Sequence, residues 1–118
     1  MLQDKNQGYD VSERNSRGKD CVITSTATSI TYQMEVYDLV VLVNTITSYG
    51  MTVTLPPVAA ARGNIYTFRY VTDGGQDFVL QDKDDDAAFT SLTFNDAGEK
   101  VCLYSDGYKW HTLYSDIT

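Results

Sequence analysis

The chain has 118 residues, a formal net charge of −7 and an apolar share of 42%. That length fits one domain able to bury its own core, and the apolar share argues against a disordered chain. The acidic balance argues against nucleic-acid backbones and anionic membranes as partners, and no apolar run approaches the roughly 20 residues that span a bilayer.

Residues 1–20, MLQDKNQGYDVSERNSRGKD, are polar and follow neither a helical nor a strand period. They are expected to form an extended N-terminal arm without the apolar core of a secretory signal. Arg14, Arg17 and Lys19 make the end of this arm basic in an acidic chain, which suits docking on an acidic partner.

Residues 21–118 form the expected β-domain. Val, Ile, Thr, Tyr and Phe dominate it, and these residues suit a pleated, half-buried surface. The expected strands span 21–26, 29–37, 39–45, 50–55, 64–71, 77–82, 88–94, 99–105 and 109–115. Turn signals separate them: Tyr49-Gly50, Pro56-Pro57, Asp73-Gly74-Gly75, Asp96-Ala97-Gly98 and Asp106-Gly107. Short strands at such spacing predict an all-β fold, a compact antiparallel sandwich or barrel of jelly-roll type.

Between Leu55 and Ile65 the chain reads PPVAAARGN. The prolines lack backbone donors and end the preceding ladder, the alanines suit a single helical turn, and Gly63 can end it with a positive φ. In the next strand Tyr66, Phe68 and Tyr70 share one face. That face is either core or a subunit seam. Near the end, Asp106-Gly107 predicts a tight hairpin with Leu103 opposite Trp110 and Cys102 opposite His111. One of its faces carries Val101, Leu103, Trp110 and Thr112, and reads as core. The other carries Cys102, Tyr104, His111 and Leu113. That face is too apolar for a solvated sheet, so a second sheet or another subunit is expected to cover it.

Signals for chemistry are weak. His111 is the single histidine and lies mid-strand, and no GxSxG, HExxH, P-loop or GxGxxG occurs. The run DKDDDA places Asp82, Asp84 and Asp86 in a D-x-D-x-D pattern. Ala87 and Thr93 then stand where a calcium loop needs Gly and Glu, so a solvated turn is favoured over a looser calcium site. Cys21 and Cys102 are expected as free thiols, with one disulfide as the other reading. No enzyme activity, cofactor or metal is expected.

Two stretches together, DLVVLVNTITSYGMTVTLPPVAAARGNIYTFRYV (38–71) and EKVCLYSDGYKWHTLYS (99–115), resemble a module of tailed-bacteriophage virion proteins. That family includes head decoration proteins, head fibres and tail-fibre tips. The shared features are the strand ending TVTLP, the small-residue turn, the GNIYTF strand, and the closing SDG turn with its Trp. The resemblance implies a β-module that trimerises. It also implies a capsid decoration (cement) protein on the outer surface of the virion, assembled in the host cytoplasm and bound to the major capsid protein. Leu2, Tyr9, Val11, Arg14 and Arg17 of the arm are the expected capsid contacts. Tyr104, His111, Leu113, Tyr66, Phe68 and Tyr70 are the candidate subunit-interface residues. A receptor- or glycan-binding fibre tip is the alternative within the same resemblance.

Overall fold

A computed structural model of the chain describes residues 20–118. The arm contacts Leu2, Tyr9, Val11, Arg14 and Arg17 lie outside the described residues. Nine strands follow one another: β1 (Asp20–Thr24), β2 (Thr31–Gln33), β3 (Val40–Asn44), β4 (Met51–Thr54), β5 (Ile65–Thr72), β6 (Phe78–Gln81), β7 (Leu92–Phe94), β8 (Lys100–Ser105) and β9 (Trp110–Asp116). Each falls within or beside one of the expected segments, and the described residues contain no helix.

The strands build two sheets, ordered β9-β8-β5-β3-β1 and β2-β4-β6-β7. Here the antiparallel, jelly-roll expectation is corrected. The pairs β1–β3, β3–β5, β2–β4 and β4–β6 are parallel. Only β5–β8, β8–β9 and β6–β7 are antiparallel. From β1 to β6 the chain alternates between the sheets, so it coils and each strand lies beside the one two places later, running the same way. Side chains alternate with period 2 in both kinds of pair, so the pattern fixes the faces without fixing the direction. Among the described residues the two ladders remain separate sheets.

The coil repeats. Cys21 pairs with Val41 and Val41 with Phe68, so one coil takes 20 residues and the next takes 27. Gln33 lies 21 residues before its partner Thr54, whereas Val40 lies 27 before its partner Thr67. The extra six residues therefore enter at the Pro-Pro-Ala corner. There the Leu55 N–H makes a last bond to the Gln81 carbonyl at 2.8 Å, before the two prolines. The Ala61 N–H reaches back to the Pro57 carbonyl at 3.0 Å, a single helical turn. Gly63 closes it with φ 84° and donates to the Ser105 carbonyl at 2.8 Å.

The opposite corners stack through buried hydroxyls. Ser25 Oγ donates to the Tyr49 carbonyl at 2.6 Å and accepts from the Ile46 N–H at 3.1 Å, binding the first coil to the second. One coil later, Thr45 Oγ1 accepts from the Gly74 N–H at 3.0 Å and bonds the Tyr70 hydroxyl at 2.6 Å. The Tyr70 hydroxyl also donates to the Gln76 carbonyl. Ser25 and Thr45 are 0% and 2% exposed, so each hydroxyl replaces water for backbone groups that the corner would otherwise strand.

The inward faces of both sheets fill one core: Val41, Val43, Tyr66, Phe68, Val101 and Leu103 from the larger sheet, and Met51, Val53, Leu80 and Phe94 from the smaller. Tyr70 meets Phe78 edge-on across the sheets at 5.9 Å, and Phe78 stacks on Phe94 at 4.3 Å. Tyr66 buries its ring against Trp110, and its hydroxyl donates to the Val36 carbonyl at 2.7 Å. Asp38, in the corner between β2 and β3, is buried. Its carboxylate accepts from the Tyr32 hydroxyl at 2.7 Å and from the Glu35 N–H at 2.9 Å, closing the corner before β3.

The β8–β9 register differs from expectation. Trp110 lies opposite Ser105, His111 opposite Tyr104, and a bulge separates Thr112 from Tyr114. Asp106 Oδ1 accepts the Tyr108 and Lys109 N–H groups, each at 2.8 Å. Within the turn only Gly107 has positive φ, so the turn centres on Gly107-Tyr108 instead of Asp106-Gly107. Each partner moves by two residues, which leaves the inward and outward faces intact up to the bulge.

Neither cysteine is in a disulfide, and both are half-buried. Cys21 packs against the core on β1, whereas Cys102 on β8 faces outward beside Thr67 at 3.5 Å. Three inter-strand spacings, about 14 Å, separate the two strands, too far for a disulfide.

Two predictions follow from this packing. A Cβ at Gly74 would meet the Thr45 carbonyl oxygen at 2.4 Å and the Ile46 Cα at 2.6 Å. Gly74→Ala is therefore expected to cost about 1–3 kcal/mol in denaturant unfolding, because the stacked corner cannot retreat. The second concerns Glu99, which is buried and accepts from the N–H groups of Asn95, Asp96 and Thr118 and from the Thr118 hydroxyl. Burial raises its pKa, but these bonds outweigh burial and hold it below its ordinary value. Because the folded pKa is depressed, this stabilisation is complete above the ordinary carboxylate range and is lost as pH falls through the folded value. Melting curves from pH 7 to pH 3 should show that Glu99→Gln lowers stability at neutral pH and flattens the acid limb.

Candidate interaction surfaces

The two outer faces differ in chemistry. On the four-stranded sheet, Thr31, Thr52, Val79 and Thr93 form one row, and Gln33, Thr54 and Gln81 form the next. These amides and hydroxyls satisfy one another. Gln81 Nε2 donates to Thr54 Oγ1 at 3.1 Å, Gln33 Nε2 donates to the Leu55 carbonyl at 3.1 Å, and Lys83 Nζ donates to Gln33 Oε1 at 3.0 Å. No strand of this sheet contributes an exposed large apolar side chain.

The five-stranded sheet presents the opposite. One outward row runs Val22, Leu42, Arg69, Lys100 and Asp116; the next runs Val40, Thr67, Cys102 and Tyr114, with Asp20 at the register position beside Val40; a third holds Ile65, Tyr104 and His111. Val22 is 64% exposed, Ile65 53% and Tyr114 47%, and Val71 is also exposed. Val22 and Tyr114 lie on the two outermost strands and Ile65 and Val71 towards opposite ends of β5, with Thr67, Arg69, Lys100 and Cys102 between them. Lys100 bonds Asp116 at 3.2 Å and lies 5.9 Å above the Tyr114 ring. Arg69 has no ion-pair partner among the described residues.

The interface candidates divide. Tyr104 is half-buried, and its ring centroid lies 6.2 Å from that of His111 on this outer face. Leu113 sits at the β9 bulge, 55% exposed. Tyr66, Phe68 and Tyr70 are fully enclosed by the chain's own core, which leaves a neighbouring subunit nothing to touch. Of the two readings of that aromatic face, packing is the one the geometry fits. Reading the chain as a sequence did not single out Val22, Leu42, Ile65 and Arg69. Their outward alternation was visible, but only the parallel pairing puts them beside the hairpin.

His111 Nε2 lies 2.8 Å from Asp106 Oδ2, a pair that looks catalytic in isolation. His111 and the Lys109 and Tyr108 N–H groups hold the Asp106 pKa well below the usual carboxylate range, with His111 the largest cause. Ser105, the hydroxyl next in sequence, points to the other face. It donates to the Val58 carbonyl at 2.6 Å and accepts from the Gly107 N–H at 3.1 Å, so it is not aligned as a nucleophile for this pair. The pair clamps the turn.

The acidic run also faces the backbone. Asp82 accepts from the N–H groups of Asp85 and Asp86 at 3.0 and 2.8 Å. Asp85 accepts from Val58 in the proline corner at 2.9 Å, and Asp86 from Ala88 and Trp110 at 3.0 and 2.8 Å. Among the described residues no three potential metal ligands gather in one place. The run joins the coil to the start of β9.

No protein-family model, curated protein or solved structure matches the chain.

Asp86→Ala would leave the buried Trp110 backbone N–H without its side-chain acceptor and should cost about 1–3 kcal/mol in urea unfolding. Lys83→Ala, at the surface of the same loop, should stay within about 0.5 kcal/mol of the unaltered chain.

Proposed function

We propose that this chain is a capsid decoration protein of a tailed bacteriophage. It binds the outer capsid surface as a homotrimer and stabilises the head shell. The observation that supports this reading best is the layout. A basic-ended polar segment of 19 residues precedes an all-β body at β1, which ends the order of the five-stranded sheet among the described residues. The phage-like stretches supply the residues of that body: Asp38 closes a corner, TVTLPP ends a coil, and Trp110 packs on Tyr66. The mechanism is mechanical. Each arm reaches the major capsid protein through Leu2, Tyr9, Val11, Arg14 and Arg17, and three arms on one trimer act at high effective concentration, so weak single contacts hold firmly.

A glycan-binding fibre tip is the second reading. Tyr37, Tyr49 and Tyr108 favour it, because these exposed rings stand at corners outside the strands. Copy number per virion separates the two, with hundreds expected for decoration and a few dozen or fewer for a tip.

Deletion of residues 1–18 should abolish co-sedimentation with undecorated capsids while leaving the circular dichroism and melting of the body intact. Unchanged binding would end the arm mechanism.

A further inference from the structure

We infer that the groove where the 46–50 corner meets the outer face of the four-stranded sheet binds a neutral saccharide. The inference rests on the glycan-binding reading and names its site. The groove has a volume of about 290 Å³, and Ile30, Ser48, Tyr49, Thr52, Asp77 and Val79 line it around Gly50. Of the exposed corner tyrosines Tyr37, Tyr49 and Tyr108, Tyr49 is the one that lines it. Backbone pairing gathers these residues from successive coils. The Ile30 carbonyl accepts from the Thr52 N–H at 2.9 Å, the Asp77 carbonyl accepts from the Met51 N–H at 3.1 Å, and Thr52 lies opposite Val79. Gly50 permits the approach, since a Cβ there would meet the Asp77 carbonyl oxygen at 2.5 Å.

The polar side chains of the groove are uncommitted. Gln33 and Gln81 bond within their own row, and Asp82, Asp85 and Asp86 hold backbone amides. Tyr49, Thr52 and Asp77 bond Ser25, Ile30 and Met51 through backbone atoms alone. Among the described residues the Ser48, Tyr49 and Thr52 hydroxyls and the Asp77 carboxylate make no hydrogen bond. Their chemistry selects the ligand. Three hydroxyls both donate and accept, and the carboxylate accepts. Beside them stand an aromatic ring and the aliphatic Ile30 and Val79. A pyranose matches both sets, with an apolar C–H face and a rim of hydroxyls that donate and accept. A basic peptide would satisfy the acceptors only. An anionic ligand would meet Asp77 with no Lys or Arg lining the groove. The volume is at the small end of ligand sites, so it suits roughly one or two sugar rings. An open site of this size implies a dissociation constant on the order of 1 mM, which several copies on one particle would strengthen by effective concentration.

The test is a titration of the full chain with lactose, maltose, cellobiose and diacetylchitobiose, each to about 50 mM, followed in proton–nitrogen correlation spectra. At least one sugar should shift the Tyr49, Gly50, Thr52 and Asp77 amides saturably. Tyr49→Ala and Asp77→Asn should each bind that sugar at least about tenfold more weakly, with the rest of the spectrum unchanged. Tyr108→Ala, an exposed ring outside the groove, should bind like the unaltered chain. Asp77→Asn keeps the side-chain shape and breaks no internal bond, so it decides the matter if Tyr49→Ala fails to fold. Undiminished binding by Asp77→Asn, or saturable shifts at these amides with trilysine and with none of the sugars, would overturn the inference. Saturable shifts confined to Tyr37 or Tyr108 would remove this groove and leave the glycan-binding reading standing. No saturable shift with any of the sugars would remove both. Capsid co-sedimentation and copy number read the decoration proposal separately.

Discussion

The fold depends on three coils lying in register, and the register depends on two buried hydroxyls. Ser25 and Thr45 occupy equivalent corners one coil apart, and each bonds backbone of the coil that follows. A parallel stack has no hairpin to fix its alignment, so the corners must do so. A slip of one residue would turn Val41, Val43, Tyr66, Phe68 and Tyr70 outward together. The same hydroxyls explain Gly74, whose N–H can reach Thr45 only because no side chain intervenes. Corner, core and outer faces are thus one arrangement.

Once that register is set, the antiparallel strands complete the body. β8 pairs with β5 on the side away from β3, and β9 adds the outer edge of the larger sheet. The proline corner is tied to this addition. Ser105 at the end of β8 exchanges backbone bonds with Gly63 and Asn64 and bonds Val58 with its side chain. The DKDDDA loop then connects the same corner to Trp110 through Asp85 and Asp86. The six residues inserted at the corner therefore supply the docking point where the coiled and antiparallel parts meet.

Strand positions were legible because β-branched and aromatic runs alternate with turn residues, and the inward set Tyr66, Phe68 and Tyr70 followed from alternation alone. The PPVAAARG corner was legible because proline and glycine act through the backbone itself. Direction was not legible, since alternation is blind to it. The missed signal was the 20-residue repeat, in which VITSTATS returns as LVNTITSY with Ser25 and Thr45 at matching places. The hairpin turn was placed one residue early because Asp-Gly was read through backbone preference alone. The Asp106 side chain, which accepts two later amides, moves the centre to Gly107-Tyr108.

The most binding-like residues in the sequence are those the fold uses inwardly. Asp82, Asp85 and Asp86 are committed to backbone amides, His111 to Asp106, and the aromatic triad of β5 to the core. Polar groups so engaged stabilise the body because breaking them strands buried donors, and that same cost makes them poor ligands for an outside partner. What remains for recognition is surface that satisfies nothing internally. The Thr and Gln face is self-bonded and has little to gain from being covered. The Val22–Leu42–Arg69 face keeps apolar side chains in water beside Arg69, a cation with no ion-pair partner among the described residues. Function in this chain is therefore to be sought on the broad face of a sheet, where coiling has gathered side chains from strands far apart in sequence.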